Sequence, residues 1–327
     1  MNRFRAPLVG LLALLLALAG CNAATPSATT SGGVTPTPTG AKPYIPVISK
    51  GFQHQFWQSV RVGAERAATE FNVTITFEGP ASEAQVDRQI ELLQTALDKR
   101  PAAICLAAVD SQALTPLLER AQAAGIPIIG FDSGVDSNIP VTTASTDNLA
   151  AASLAADKMA ALIGGAGEVA VIAHDETSRS GVDRRDGFLN RIKTKYPQIT
   201  IVDVQYGGGD HAKSAALATA IIQAHPNLKG LFGTNEGSSI GIINAMKTYT
   251  GKLVVVGFDS GQAQTDAIRS GVMAGAITQD PIDIGYRCVE AAVKALKGET
   301  LPKTINTSFH WYDQTNMDSA TIKPLLY

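Results

Sequence analysis

A seven-residue phrase occurs twice in this chain and limits what the chain can fold into. It reads Ile128-Ile129-Gly130-Phe131-Asp132-Ser133-Gly134 the first time and Val255-Val256-Gly257-Phe258-Asp259-Ser260-Gly261 the second. Each copy is a short apolar run that halts at a Gly, offers an Asp and turns at Ser-Gly. Such runs suit parallel strands covered on both faces, and open parallel sheets bind ligands beyond the carboxyl ends of their strands. Each phrase therefore aims one carboxylate at a crevice, and the copies lie about one domain's length apart. Taken singly, either copy is also an ordinary strand-end turn, where Asp suits the backbone. The repetition points to two similar α/β lobes, each offering an Asp to a shared cleft.

The surrounding pattern agrees. In the first half, strands over Tyr44–Ser49, Val73–Phe77, Ala102–Ala107 and Ile126–Phe131 alternate with helices. One helix carries Val60, Ala64, Ala67, Ala68 and Phe71 at helical spacing; another opens at Ser82 and buries Val86, Ile90, Leu93 and Leu97; a third covers Ala113–Ala124. After Ser145-Thr146-Asp147-Asn148, read as a crossing between lobes and a helix N-cap, the alternation resumes. A polar loop over His174–Gly181 is expected there, followed by a helix over Arg184–Lys195. A last long helix covers Asp283–Lys297. Strand–helix alternation of this kind makes doubly wound parallel sheets.

The 327 residues suffice for two cores. A net charge of −2 argues against a nucleic-acid binder, which would be basic over a patch or domain. Residues 1–20 read as a signal peptide, with two Arg before the apolar Leu8–Leu18, too short for a membrane span. Leu18-Ala19-Gly20-Cys21 resembles a bacterial lipobox, which implies cleavage before Cys21 and a lipid on its thiol. Residues 21–42, rich in Thr, Pro, Ser, Gly and Ala, read as a disordered stalk. The mature protein is thus expected outside the cytoplasm, lipid-anchored to the membrane.

Phe56 and Trp57 at a helix start read either as core or as a stacking surface for the C–H face of a sugar ring, with Lys50 and His54 on the same loop. The three glycines at 207–209 lack the spacing of a dinucleotide or P-loop signature. There is no Gly-x-Ser-x-Gly elbow, and the five His are scattered without metal-ligand spacing. Cys105 and Cys288 read as buried hydrophobes, with a disulfide between them as the alternative. With no nucleophile, metal or cofactor identified, no enzyme is expected.

From Tyr44 to about His310 the chain resembles a type I periplasmic sugar-binding protein of the ribose-binding cluster, the solute-binding lipoproteins of ABC transporters. The resemblance rests on element order, on the strand–loop–aromatic pair at Phe56-Trp57, and on Asn235, Asp259 and Gln279 at the family's motif positions. It implies two doubly wound lobes joined by a three-segment hinge crossing near Ser145, Gln279 and Phe309. The first lobe would comprise 43–144 plus 280–308, and the second 145–279 plus 309–327. It implies ligand contacts from Phe56, Trp57, Asp132, Asn235, Asp259 and Gln279, with Lys50 and His54 replacing lost donors. The ligand would be a monosaccharide or polyol, the partner a membrane permease, the protein a monomer with no cofactor. A sensing role beside a receptor or kinase is the alternative. Departures put ribose itself in doubt: Ser133 stands where Arg is expected, Ala107 for Asn and Gly209 for Phe. The family's Arg on the second lobe's first loop has no in-frame match. Arg179 is preferred to Arg184 because it precedes the expected helix.

Overall fold

The computed structural model describes residues 40–327. Cys21, the signal segment and nearly all of the stalk lie outside the described residues. The elements run β1 (Tyr44–Ile48), α1 (Gln55–Glu70), β2 (Thr74–Glu78), α2 (Val86–Asp98), β3 (Ile104–Leu106), α3 (Thr115–Ala123), β4 (Ile128–Phe131) and β5 (Thr142–Thr146). They continue with α4 (Asn148–Leu162), β6 (Gly167–Ala173), α5 (Arg179–Lys195), β7 (Ile199–Tyr206), α6 (His211–Ala224), β8 (Leu228–Gly233), α7 (Glu236–Met246), β9 (Val254–Phe258) and α8 (Gln262–Arg269). The last are β10 (Gly275–Gln279), α9 (Pro281–Leu296), β11 (Thr304–Thr307) and β12 (Phe309–Tyr312).

These strands form two six-stranded sheets, ordered β11-β5-β4-β3-β1-β2 and β12-β10-β9-β8-β6-β7. All pairings are parallel except β10 with β12. Both faces of each sheet are covered, so strand residues alternate between two apolar layers. In the first sheet Ile45, Val47, Cys105, Ile129 and Phe131 pack toward α1 and α9. Their neighbours Ile48, Ile104, Leu106 and Ile128 pack toward α2 and α3. The second sheet repeats this: Val169, Val171, Phe232, Val256 and Phe258 face α4 and α5, while Ala170, Ile172, Leu231 and Val255 face α6 and α7. Two glycines let α1 and α9 touch backbone to backbone: a Cβ on Gly63 would run into the Ile282 carbonyl, and one on Gly285 into that of Val60.

The chain passes between the sheets three times: after Thr146, after Gln279, and at Ser308 between β11 and β12. The first passage comes slightly later than the sequence pattern suggests, because β5 continues through Ser145 and Thr146 beside Asn306 and Thr307. All three passages leave strands at the same edge of each sheet, formed by β11 and β5 on one side and β12 and β10 on the other.

The two cysteines need a correction. Cys105 in β3 and Cys288 in α9 are both buried, but they are disulfide-bonded, with Cα atoms 6.2 Å apart. The bond ties the returning helix α9 to the centre of the first sheet.

Candidate functional site

The repeated phrase produces repeated geometry. Asp132 and Asp259 follow β4 and β9, and both adopt left-handed backbone, with φ of 55° and 77°. Asp tolerates that region better than most residues. Each amide is tied to the neighbouring strand, Asp132 N–H to the Ala144 carbonyl at 2.9 Å and Asp259 N–H to the Ile277 carbonyl at 2.7 Å. Both side chains are thereby turned out of the sheets into one chamber between the lobes.

That chamber is narrow and is walled by Lys50, His54, Phe56, Trp57, Glu83, Asp132, His174, Ser180, Arg184, Asn235, Asp259 and Gln279. Eight of the nine residues singled out from sequence meet here. The ninth, Arg179, does not. It is the first residue of α5, half exposed, and pairs with Asp183 at 3.1 Å and Asp136 at 3.6 Å. The helix begins five residues before Arg184 because the Ser178 hydroxyl caps it, accepting the Gly181 N–H at 3.1 Å. The early start puts Arg184 one turn inside the helix, facing the chamber, and it is this arginine that is buried.

Arg184 is held firmly. Its Nε donates to Asn148 Oδ1 at 2.7 Å and its Nη1 to the Thr234 carbonyl at 3.1 Å. Its guanidinium lies 3.8 Å from the centre of the Phe258 ring. Nη2 is left 4.0 Å from Asp132. Asp132 makes no side-chain hydrogen bond among the described residues. Burial pushes its carboxyl up to about 6, against the opposing pull of Lys50 and Arg184. Its twin is anchored: Asp259 accepts from Gln279 Nε2 at 2.6 Å and from the Glu236 N–H at 2.8 Å, one bond to each oxygen, which leaves acceptor capacity for a guest. Gln279 in turn accepts from the Thr146 hydroxyl at 2.8 Å, which links the wall to the crossing strands.

Lys50, from the first lobe, donates to the Ser178 and Ser180 hydroxyls of the second at 3.3 and 3.2 Å. Asn235 caps α7 through the Ser238 N–H at 2.8 Å and directs its amide nitrogen toward Glu83 at 3.4 Å. Phe56 and Trp57 stand edge to face at 4.9 Å. They belong both to the first lobe's core and to the chamber wall, so the core and ligand-facing readings of this pair do not compete.

Glu83, His174 and Ser180 were not visible in the sequence as wall residues. Glu83 lies in the β2–α2 loop, because α2 starts at Val86 and not at Ser82. It accepts from Trp57 Nε1 at 2.8 Å and has His54 Nε2 at 3.8 Å. Burial raises the Glu83 pKa, but Lys50, His54 and the Trp57 hydrogen bond outweigh it, and the carboxyl sits below its ordinary value. His174 is pushed down to about 3, chiefly by burial, despite the carboxylate of Asp175; it is a neutral imidazole beside the Thr234 hydroxyl at 2.9 Å. The available signal for all three was position: loops that follow strand carboxyl ends line the cleft.

Gly209, at φ +67°, stands where the resemblance expects Phe. A Cβ there would lie 3.2 Å from Glu83 Oε2 and 3.3 Å from both Asn235 Nδ2 and His54 Nε2. Charged and polar groups thus occupy the side of the chamber that an aromatic would otherwise cover. Among the described residues no group of three His, Cys, Asp or Glu could hold a metal ion.

The profile of the periplasmic binding protein domain matches residues 45–300. The chain belongs to that family. It is a type I binding protein of the ribose-binding cluster and not an enzyme. The D-allose-binding periplasmic protein of Escherichia coli (strain K12) is 29% identical over 271 residues, spanning 78% of this chain and 86% of the relative. A carbohydrate transporter solute-binding protein from Agrobacterium radiobacter, solved with D-arabinose, superposes with a TM-score of 0.85 at 32% identity, covering 88% of this chain and 100% of the other. An ABC transporter solute-binding protein from Agrobacterium vitis, solved with D-fucose, gives 0.84 at 32% identity, with 87% and 100% covered. Periplasmic binding proteins of ABC importers work outside the cytoplasm.

Proposed function

We propose that this protein is an extracytoplasmic solute-binding lipoprotein of an ABC importer that closes its two lobes around a monosaccharide or related polyol. The observation that carries this reading is the convergence of Asp132 and Asp259, one from each lobe, on a single chamber. Arg184, Asn235 and Gln279 complete a set of acceptors and donors, and Phe56 and Trp57 supply an apolar face. Such a wall matches neighbouring ring hydroxyls above one C–H face. One relative in sequence is named for D-allose, and two of similar structure were solved with D-arabinose and D-fucose. The sequence Leu18-Ala19-Gly20-Cys21 supports the lipid anchor, and two or more acyl chains hold a protein stably at a membrane.

Hydrogen bonds to charged groups contribute ~1.5–3 kcal/mol each, and micromolar capture requires about −8 kcal/mol net, so a few such bonds plus stacking suffice. Because the guest touches both lobes, it binds the closed form better than the open one, and that difference drives closure. A membrane permease then reads the closed shape.

A thermal-shift screen against pentoses, hexoses, ketoses and polyols, followed by calorimetry, tests the reading. One or more of these stabilises the wild type, and Asp259→Asn weakens that ligand at least tenfold. A screen in which no sugar or polyol binds, or an Asp259→Asn variant of unchanged affinity, overturns it.

A further inference from the structure

The first N–H groups of any helix have no partner within the helix and must find one elsewhere. Helices α4, α5, α6, α7 and α9 find it in the side chain of their own N-cap: Asp147, Ser178, Asp210, Asn235 and Asp280. Helix α1 does not. Its N-cap His54 makes no capping bond, and no acidic residue stands in its first turn. The missing acceptor comes from the other lobe. Glu236, the first residue of α7, accepts the Gln55 N–H with Oε1 at 3.0 Å and the Phe56 N–H with Oε2 at 3.1 Å. The arrangement is reciprocal, since Gln55 Oε1 accepts the Gln262 N–H at the start of α8 at 2.7 Å. Each of these two helices is thus completed by a residue across the cleft.

Glu236 is buried but does not line the chamber. Its own N–H is fixed by Asp259, and its carboxylate grips the turn that carries Phe56 and Trp57. A carboxylate at a helix N-terminus gains from the aligned peptide dipoles and from charge-assisted hydrogen bonds; Glu236 has the dipole of its own helix α7 in any state, but gains the two α1 hydrogen bonds only while the lobes are shut. We infer that Glu236 is a positioning residue for ligand capture: it clasps α1 across the cleft and sets the closing equilibrium for every ligand alike without touching any of them. The inference rests on the sugar-binding reading for its affinity measurements. Observed affinity is the closed-state affinity scaled by the fraction of molecules able to close, so loss of the clasp divides every affinity by one common factor.

The test compares wild-type, Glu236→Gln and Glu236→Ala full-length protein, titrated with D-allose, D-arabinose and D-fucose. For each sugar the wild type binds, Glu236→Ala raises Kd by a similar factor of about tenfold, equivalent to ~1.4 kcal/mol. The change falls in the dissociation rate, because the clasp forms after encounter. Glu236→Gln keeps one acceptor and falls between, and Gln55→Ala, which removes the reciprocal bond, shifts Kd the same way by less. Unchanged Kd values overturn the inference, and so does a loss confined to one sugar, which would make Glu236 a direct contact. Should the wild type capture none of the three, the functional reading fails, and the clasp is then judged by small-angle scattering. Expansion of the ligand-free Glu236→Ala protein supports it, and superimposable scattering curves overturn it.

Discussion

Replacing Arg184 and Arg179 by Ala, one at a time, separates the buried arginine from the exposed one. Arg184→Ala removes two hydrogen bonds from a buried guanidinium, to Asn148 and to the Thr234 carbonyl, and its stacking on Phe258. It leaves those two acceptors unsatisfied and takes a compensating charge from Asp132. Removing one member of a buried charged pair costs about 3–5 kcal/mol, and the hydrogen bonds alone account for roughly 3 kcal/mol at the low end of ~1.5–3 each. Arg179 pairs only at the half-exposed rim, where ion pairs contribute ~0–1 kcal/mol. Urea unfolding and calorimetry with a bound sugar should therefore show Arg184→Ala destabilised by about 3 kcal/mol or more and bound at least tenfold more weakly. Arg179→Ala should be nearly silent in both. Arg184→Lys keeps the charge but not the planar fork, and should recover stability only in part. A binding defect in Arg179→Ala, with Arg184→Ala behaving as wild type, would refute the placement of the α5 start and the wall built on it.

Two further outcomes follow. Asp132 has a folded-state pKa raised to about 6, against about 3.9 in the unfolded chain; its ionised form costs the ligand-free protein up to ~3 kcal/mol above pH 6, and the cost fades as pH falls toward 4. Asp132→Asn should therefore stabilise the ligand-free protein at pH 7.5 and not at pH 4 while weakening sugar binding; denaturant curves showing a destabilised variant at pH 7.5 would contradict this. The Cys105–Cys288 bond closes a loop of 183 residues in sequence separation, which in the chain-entropy account stabilises by roughly 5 kcal/mol. Reduction, or Cys105→Ser with Cys288→Ser, should lower the unfolding midpoint while the stable variant retains its sugar affinity; an unchanged midpoint would argue against the bond.

Much of the architecture was legible because burial on both faces of a parallel sheet writes itself as short apolar runs, and the two Asp-Ser-Gly endings marked where those runs meet the cleft. The arginine was misplaced for a local reason. Residues 179–183 read Arg-Ser-Gly-Val-Asp, with no apolar stripe to betray a helix, while the capping hydroxyl of Ser178 that starts it looks like any loop serine. Glu83 and His174 escaped notice because a single polar residue in a loop carries no periodicity. The cysteine pairing depends on α9 returning to the first sheet from nearly the other end of the chain, a contact that spacing alone does not reveal.

The passage strands all lie along one border of each sheet, while the loops bearing Glu83 and Gly209 follow β2 and β7 at the opposite borders. A body turning about a fixed line displaces each point in proportion to its distance from that line. Under the proposed lobe closure, Thr146 and Gln279, beside the passages, would travel least, and Glu83 and Gly209, at the far margin, would swing through the longest arc. On the proposed closure, the guest would enter and leave past that distal margin, where Gly209 brings only backbone against Glu83, Asn235 and His54.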